Sequence, residues 1–186
     1  SGSSLTAAAL VSTLVALWSA SAGIATLMKS VAVAFGTTDT RNYAVKRGLA
    51  IVMTLGALVF VALSLAVIAV LPAWLADTGL ATEQRVVLNA VRLPVVGLVM
   101  MVGLGLLYHV SRPDPPDRIE LFSWGTLAAT GLWMVSSLAF SWYTANFGNY
   151  NETYGSLGII IVVLLWLWLS ALVVLLGAEI DSELGP

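Results

Sequence analysis

Residues 159–177 read IIIVVLLWLWLSALVVLLG, an apolar run in which Ser170 is the one hydroxyl. A helix needs about 20 such residues to cross a hydrocarbon core of roughly 30 Å. Barrel strands alternate over about ten residues, and this run does not alternate, so it reads as a transmembrane helix, Ser156 to Ala178. Four more stretches have the same character: Leu5 to Met28, Leu49 to Leu71, about Val87 to Val110, and about Leu121 to Thr144. In lipid, every backbone N–H and C=O must be satisfied internally, which leaves helices and closed barrels. The fold class expected is an all-α integral membrane protein, a bundle of five transmembrane helices forming one domain over residues 1–186.

Composition supports that choice of solvent. The chain is 59% hydrophobic and 10% charged, with a mean hydropathy of +0.96, whereas soluble domains carry about 25% charged residues. A net charge of −2 argues against nucleic acid as a partner, since such binders concentrate basic residues on one face. The absence of cysteine excludes disulfides, thiolate nucleophiles and cysteine metal sites. The first residues, SGSSLTAAAL, lack the positive n-region of a secretory signal. The chain therefore reads as starting partway through a larger protein, with a helix upstream.

Lys and Arg in short loops set orientation. Lys29, Arg41, Lys46 and Arg47 surround the first connection, and Arg112 and Arg118 lie in the third. The second has Arg85, and the fourth, FGNYNETYGSLG (147–158), has no basic residue. The expected topology puts the first and third loops and the C-terminus in the cytoplasm and the loop 145–155 outside. Pro72 follows the second helix and SRPDPPDR (111–118) makes a rigid connector. Pro94 falls inside the third helix, where it removes a hydrogen bond and should kink the helix.

Each residue that could carry chemistry also has a plainer explanation. Arg92, beside Pro94, is an ionisable group inside a span and hence a binding candidate, although a long Arg also snorkels to headgroups. Glu179, closing the fifth helix, could pair with Lys29 or Arg47, or bind a cation or proton; as an interfacial acid it needs no partner. His109 is the single histidine and is read as an interfacial residue, because metal sites require several converging donors. Ser156 in GSLG would need a base within hydrogen-bond reach to act as a nucleophile, and none is close on this topology. Trp74, Trp124 and Trp142 fit interfacial belts, with Trp18, Trp133, Trp166 and Trp168 left for packing or lipid. The fourth helix, with Gly125, Ala128, Ala129, Gly131, Ser136, Ser137 and Ser141, is the least apolar and has the small residues that let helices approach. It is expected inside the bundle, as a core helix or as the lining of a cavity. The Asn151-Glu152-Thr153 sequon reads as a chance match.

The stretch FSWYTANFGNYNETYGSLGIIIVVLLWLWLSALVVLLGAEI (140–180) resembles the YihY/virulence factor BrkB family of bacterial inner-membrane proteins. Tyr143, Tyr154, Gly155, Trp166, Trp168, Gly177, Ala178 and Glu179 fit its pattern in order. LWSASAGIATLMKSVAVAFGTTDTR (17–41) and YHVSRPD (108–114) are similar to further family segments. The chain departs from the family in lacking an N-terminal Ser–Leu–x–Pro segment and in reading Ala32 where an Asn is common. The resemblance implies a six-helix protein with both termini inside, of which five helices are present here. It also implies a transport role, with envelope lipids as the suspected cargo. The family's former label, ribonuclease BN, sits badly with a chain that offers no metal-ligand cluster.

The function expected is therefore a bacterial inner-membrane transport protein, translocating a lipid or an anionic amphiphile. The alternative is a non-transporting scaffold or assembly subunit of a larger membrane complex. No enzymatic activity, catalytic residue, metal or cofactor is expected. The partners are membrane lipids, with other membrane subunits or a second copy of the chain as further candidates. Substrate binding is assigned to Arg92, Ser136, Ser137, Tyr143, Tyr154 and Glu179, and headgroup attraction to the basic set Lys29, Arg41, Lys46 and Arg47, which could engage anionic lipid.

Overall fold

The helix ends follow from a few capping residues. In the computed structural model, which describes residues 2–67, 82–146 and 156–185, five helices occur in the order α1 (Gly2–Ala34), α2 (Tyr43–Leu65), α3 (Thr82–Ser111), α4 (Trp124–Asn146) and α5 (Ser156–Leu184). Helix α1 stops at Gly36, whose φ of 65° is a conformation that glycine adopts without a Cβ penalty. The Thr37 N–H reaches back to Ala32 O and the Gly36 N–H to Val33 O, both at 2.9 Å, the bonding pattern of a Schellman cap. Helix α2 starts at Tyr43 rather than near Leu49, because the Asn42 side chain accepts from the Ala44 N–H at 3.3 Å and caps it. At the start of α4, Ser123 and Thr126 bond reciprocally, Ser123 N–H to Thr126 Oγ1 at 2.9 Å and Thr126 N–H to Ser123 Oγ at 3.1 Å, as in a capping box.

Helix α4 packs most extensively on α5, and α1 on α2; smaller interfaces join α1 to α3 and α5, and α3 to α2 and α4. The α4–α5 approach is close. A Cβ on Gly125 would lie 2.3 Å from Gly177 O, and one on Gly177 would lie 2.5 Å from Ala129 Cβ. This is the small-residue contact that packs helices where lipid is the solvent.

The core lies at one end. Met28 and Val31 of α1, Ala50 of α2, Leu104, Leu107 and Tyr108 of α3, Ala129 of α4, and Val173, Val174 and Ala178 of α5 form one buried cluster. All come from the halves nearest the end where α1, α3 and α5 finish and α2 and α4 begin. Towards the other end, the α2–α4–α5 contact is aromatic: Phe60 to Trp133 at 6.5 Å, Trp133 to Trp166 at 5.7 Å and Trp166 to Phe140 at 5.2 Å between ring centroids. These spacings lie in the range of favourable aromatic pairs.

Large apolar side chains such as Leu10, Leu14, Leu58, Val135 and Ile160 stay exposed along the helices. Such surface far exceeds the apolar patches of soluble monomers, and hydrocarbon is the solvent that suits it. Among the described residues, four helices are long and apolar enough to cross a membrane: Thr6–Ala34, Tyr43–Leu65, Leu93–Ser111 and Gly158–Leu184. Helix α4 is not among them, because its glycines, hydroxyls and tryptophans dilute its Leu, Val and Ala. Nor is it enclosed on all sides: Trp124, Leu127, Val135, Leu138 and Trp142 are exposed, and its small face lies against α5. Pro94 is accommodated within α3. Pro72 and Trp74, with the loop 147–155, lie outside the described residues.

Candidate functional site

Two polar assemblies occupy the end where the buried core sits. The first ties the helices together. Helix C-termini leave four carbonyls without partners, and Arg41, from the α1–α2 connection, meets those of α3. Its Nη1 donates to Val110 O at 2.8 Å, and its Nη2 donates to Arg112 O. Arg112 lies over the Phe35 ring, 3.9 Å from the centroid, with its Nη2 3.7 Å from Asp181 Oδ2. Asp181 is only 5% exposed, and its Oδ1 accepts from the Gly125 N–H at 3.1 Å. A carboxylate thus meets an orphan amide at the positive end of a helix dipole, a favourable placement. Just inside the bundle, the fully buried Tyr108 donates from its hydroxyl to Val174 O at 2.8 Å and meets Phe35 edge-on.

The second assembly is a cavity of about 230 Å³ between α1, the α1–α2 connection and the start of α2. Ala25, Met28 and Val33 give it an apolar wall; Lys29, Lys46, Arg47 and Asp39 bring charge to it, with Thr37, Thr38 and Tyr43 completing the lining. Three cations against one carboxylate leave a formal excess of two positive charges. Lys46 Nζ donates to Asp39 O at 2.8 Å, and Asp39 Oδ1 accepts from the Arg41 N–H at 3.0 Å, which shapes the loop. Arg47 reaches Trp18, its guanidinium carbon 3.8 Å from the ring centroid and its Nη2 donating to Trp18 O at 2.7 Å. Among the described residues, the one ion pair is Arg112–Asp181, so the cavity cations carry no carboxylate partner.

The structure divides the residues expected to bind. Lys29, Lys46 and Arg47 come together in the cavity, while Arg41 turns away to cap α3. Ser136 and Ser137 are half-buried on α4, and Ser137 Oγ returns to Trp133 O at 2.7 Å. Tyr143 is exposed, with its ring stacked on Phe140. Glu179 is exposed, on a different face of α5 from the buried Asp181. The Arg92 side chain and Tyr154 lie outside the described residues, with Arg92 carried on the α3 backbone next to Pro94. Half-buried His109 has a buried Nδ1 without a hydrogen-bond partner. Among the described residues, no three His, Cys, Asp or Glu side chains gather as a metal site would require.

Asp181 was not singled out in the sequence, and Arg112 and Tyr108 figured there only as a charge that sets topology and as part of a family-like segment. A helical stripe did mark Asp181, since Val173, Val174, Gly177, Ala178 and Asp181 follow the three-and-four spacing of one helix face. An acid on that face, unlike Glu179, has to be buried.

Helices solvated by hydrocarbon along their length and joined at one end by a polar junction define a multi-pass integral membrane protein. The chain belongs to the virulence factor BrkB family, whose model matches residues 1–185. It is 33% identical over 177 residues to the Bacillus subtilis protein named "Putative ribonuclease-like protein YfkH", covering 91% of this chain and 62% of that one. A UPF0761 membrane protein of Tolumonas auensis is 40% identical over 88 residues, 47% of this chain and 29% of its own length. One from Photobacterium profundum is 41% identical over 61 residues, 33% of this chain and 19% of its own. The chain thus spans less than two thirds of the length of each of these relatives. No solved structure gives a significant match.

Proposed function

We propose that this protein is a transporter of the bacterial inner membrane, with its C-terminus in the cytoplasm, that moves an amphiphile carrying an anionic headgroup. The observation that carries this reading is the cavity between α1 and α2. It combines an unpaired cationic lining with an apolar wall at the end of two apolar helices. At about 230 Å³ it falls below the roughly 300–1,000 Å³ of pockets that enclose whole small molecules. That volume suits a headgroup whose tails remain in lipid. Lys and Arg near a membrane surface each attract anionic lipid by about 1 kcal/mol, so Lys29 and Lys46 serve as the collecting charges. No catalytic step is assigned, and the word ribonuclease in one relative's name is not carried over.

The test is reconstitution of the full-length protein in vesicles with fluorescent phosphatidylglycerol or phosphatidylcholine, following the movement of label between leaflets. The wild type is expected to move the anionic lipid faster, and the double variant Lys29→Gln/Lys46→Gln to slow it about tenfold. Equal, background-level movement of both lipids by correctly folded wild type would overturn the reading and leave the scaffold as the better account. Protein-dependent cleavage of RNA by the same preparation would overturn the non-enzymatic assignment.

A further inference from the structure

We infer that Arg47 and Trp18 form the inner end of an oxyanion-binding site that draws the anionic group of an amphiphile below headgroup level, along the α1–α2 face. The inference rests on the transport reading above and adds the binding residue, the chemical class of the bound group and its depth. Arg47 sits in the second turn of α2, and Cα–Cβ bonds tilt towards a helix N-terminus. A snorkelling Arg would therefore run out beside Lys46. Instead its guanidinium lies over Trp18 and donates to the Trp18 carbonyl. Trp18 precedes Lys29 by about 16 Å along the α1 axis at 1.5 Å per residue, near the middle of the apolar stretch Thr6–Ala34.

A charge at that depth is costly unless paired, and among the described residues Arg47 has no anionic partner. A guanidinium carries five N–H donors. One goes to Trp18 O, a carbonyl that also accepts from Ser21 Oγ at 2.8 Å, and the Nε is buried with no partner. The remaining donors form the planar fork that matches a phosphate or carboxylate bidentately. Trp18 holds the guanidinium against its ring while itself staying 57% exposed, so the pair opens sideways onto lipid. Lys29 and Lys46 line the same cavity nearer the helix ends, which sets the three cations out in order of depth. A free hydrated anion would shed its water against Ala25 and Met28 with no tail to compensate. An amphiphile brings a tail that the exposed apolar surfaces of α1 and α2 already suit.

The test measures binding, so that it can be separated from transport. Full-length protein in detergent is titrated with phosphatidylglycerol and with phosphatidylcholine, and inorganic phosphate is offered as competitor. Arg47→Gln is expected to weaken phosphatidylglycerol binding about tenfold and leave phosphatidylcholine unchanged. Arg47→Lys should fall between, keeping the charge and losing the fork, and Trp18→Leu should cost several-fold. Should Arg47→Gln fail to fold, Arg47→Lys and Trp18→Leu carry the test. Full binding by the Arg47 variants, with loss in Lys29→Gln/Lys46→Gln, would overturn the deep site and leave the transport reading intact. Displacement of lipid by inorganic phosphate at equal concentration would overturn the amphiphile assignment in favour of a free anion. Equal binding of both lipids by the wild type would remove the transport reading as well.

Discussion

Asp181, near the end of α5, accepts a hydrogen bond at 3.1 Å from the backbone N–H of Gly125 in the first turn of α4. A buried acid on one helix thus completes the N-terminus of the next. The contact requires glycine, because a Cβ at Gly125 would stand 2.4 Å from Asp181 Cβ. Through Arg112 and the capped end of α3, the same carboxylate connects to Arg41, so the two basic connections and the end of α5 are fastened as one unit.

Replacing Asp181 separates charge from hydrogen bonding. Asp181→Asn keeps an acceptor for the Gly125 amide and loses the attraction to Arg112, whose side chain is 20% exposed and so partly screened by solvent. Asp181→Ala also leaves a buried donor unpaired, at a cost of about 1–3 kcal/mol. Thermal unfolding in detergent should rank wild type above Asp181→Asn and Asp181→Ala last. Equal melting of the two variants would show that the amide contact contributes nothing.

Gly177 offers a contest between sterics and hydrogen bonding. A Cβ there would sit 2.4 Å from the Tyr108 hydroxyl and 2.5 Å from Ala129 Cβ, and overpacking of this kind costs about 1–3 kcal/mol. Losing the Tyr108 hydroxyl bond to Val174 O costs less, on the order of 0.6 kcal/mol inside a membrane bundle. Gly177→Ala should therefore lower the melting temperature more than Tyr108→Phe. The double variant should recover part of the loss, since the clash with the Tyr108 hydroxyl is gone while those with Ala129 Cβ and Gly125 O remain. Gly131→Ala is the control: nothing lies within 4 Å of its added Cβ, so the expectation is no loss, or a gain of about 0.5–1 kcal/mol from the helical Gly→Ala exchange.

These contacts mark where sequence reading reached and where it stopped. The helices were legible because a run such as Ile159–Gly177 has no stable alternative in lipid. The clustering of Lys29, Lys46 and Arg47 was legible as a local excess of charge, although the cavity they line was not. Arg41 shares that excess yet caps α3, since only the fold brings Val110 and Arg112 within its reach across a long stretch of chain. Asp181 lay hidden beside Glu179, because one helix register buries one acid and exposes the other. The gathering of buried side chains at one end was not legible either, because an apolar helix reads the same whether protein or lipid covers it.

Arg41 predicts a local effect rather than a global one. Arg41→Gln would leave the carbonyls of Val110 and Arg112 without their side-chain donor, loosening the end of α3 and the segment after it. Trypsin should cut after Arg118, which precedes Ile119, several-fold faster in the variant, with a small change in melting temperature. Unchanged cleavage rates would mean that the proline-rich connector holds its course without the cap.

The orientation proposed above rests on where the charges gather. Lys29, Arg41, Lys46 and Arg47 around the first connection and Arg112 and Arg118 in the third assemble at one end, and such residues are retained in the cytoplasm. Because Arg41 bonds to the end of α3 and Asp181 to the start of α4, those connections and the end of α5 must share a side. One label therefore reports on all three. The chain has no cysteine, so single cysteines can be introduced without a background. In intact cells, a cysteine at Asp117 should react with an impermeant maleimide only after lysis, and a cysteine at Asn149 should react from outside. The reverse pattern would invert the topology and put the basic cavity on the outer face, where anionic lipid would have to be collected from the other leaflet.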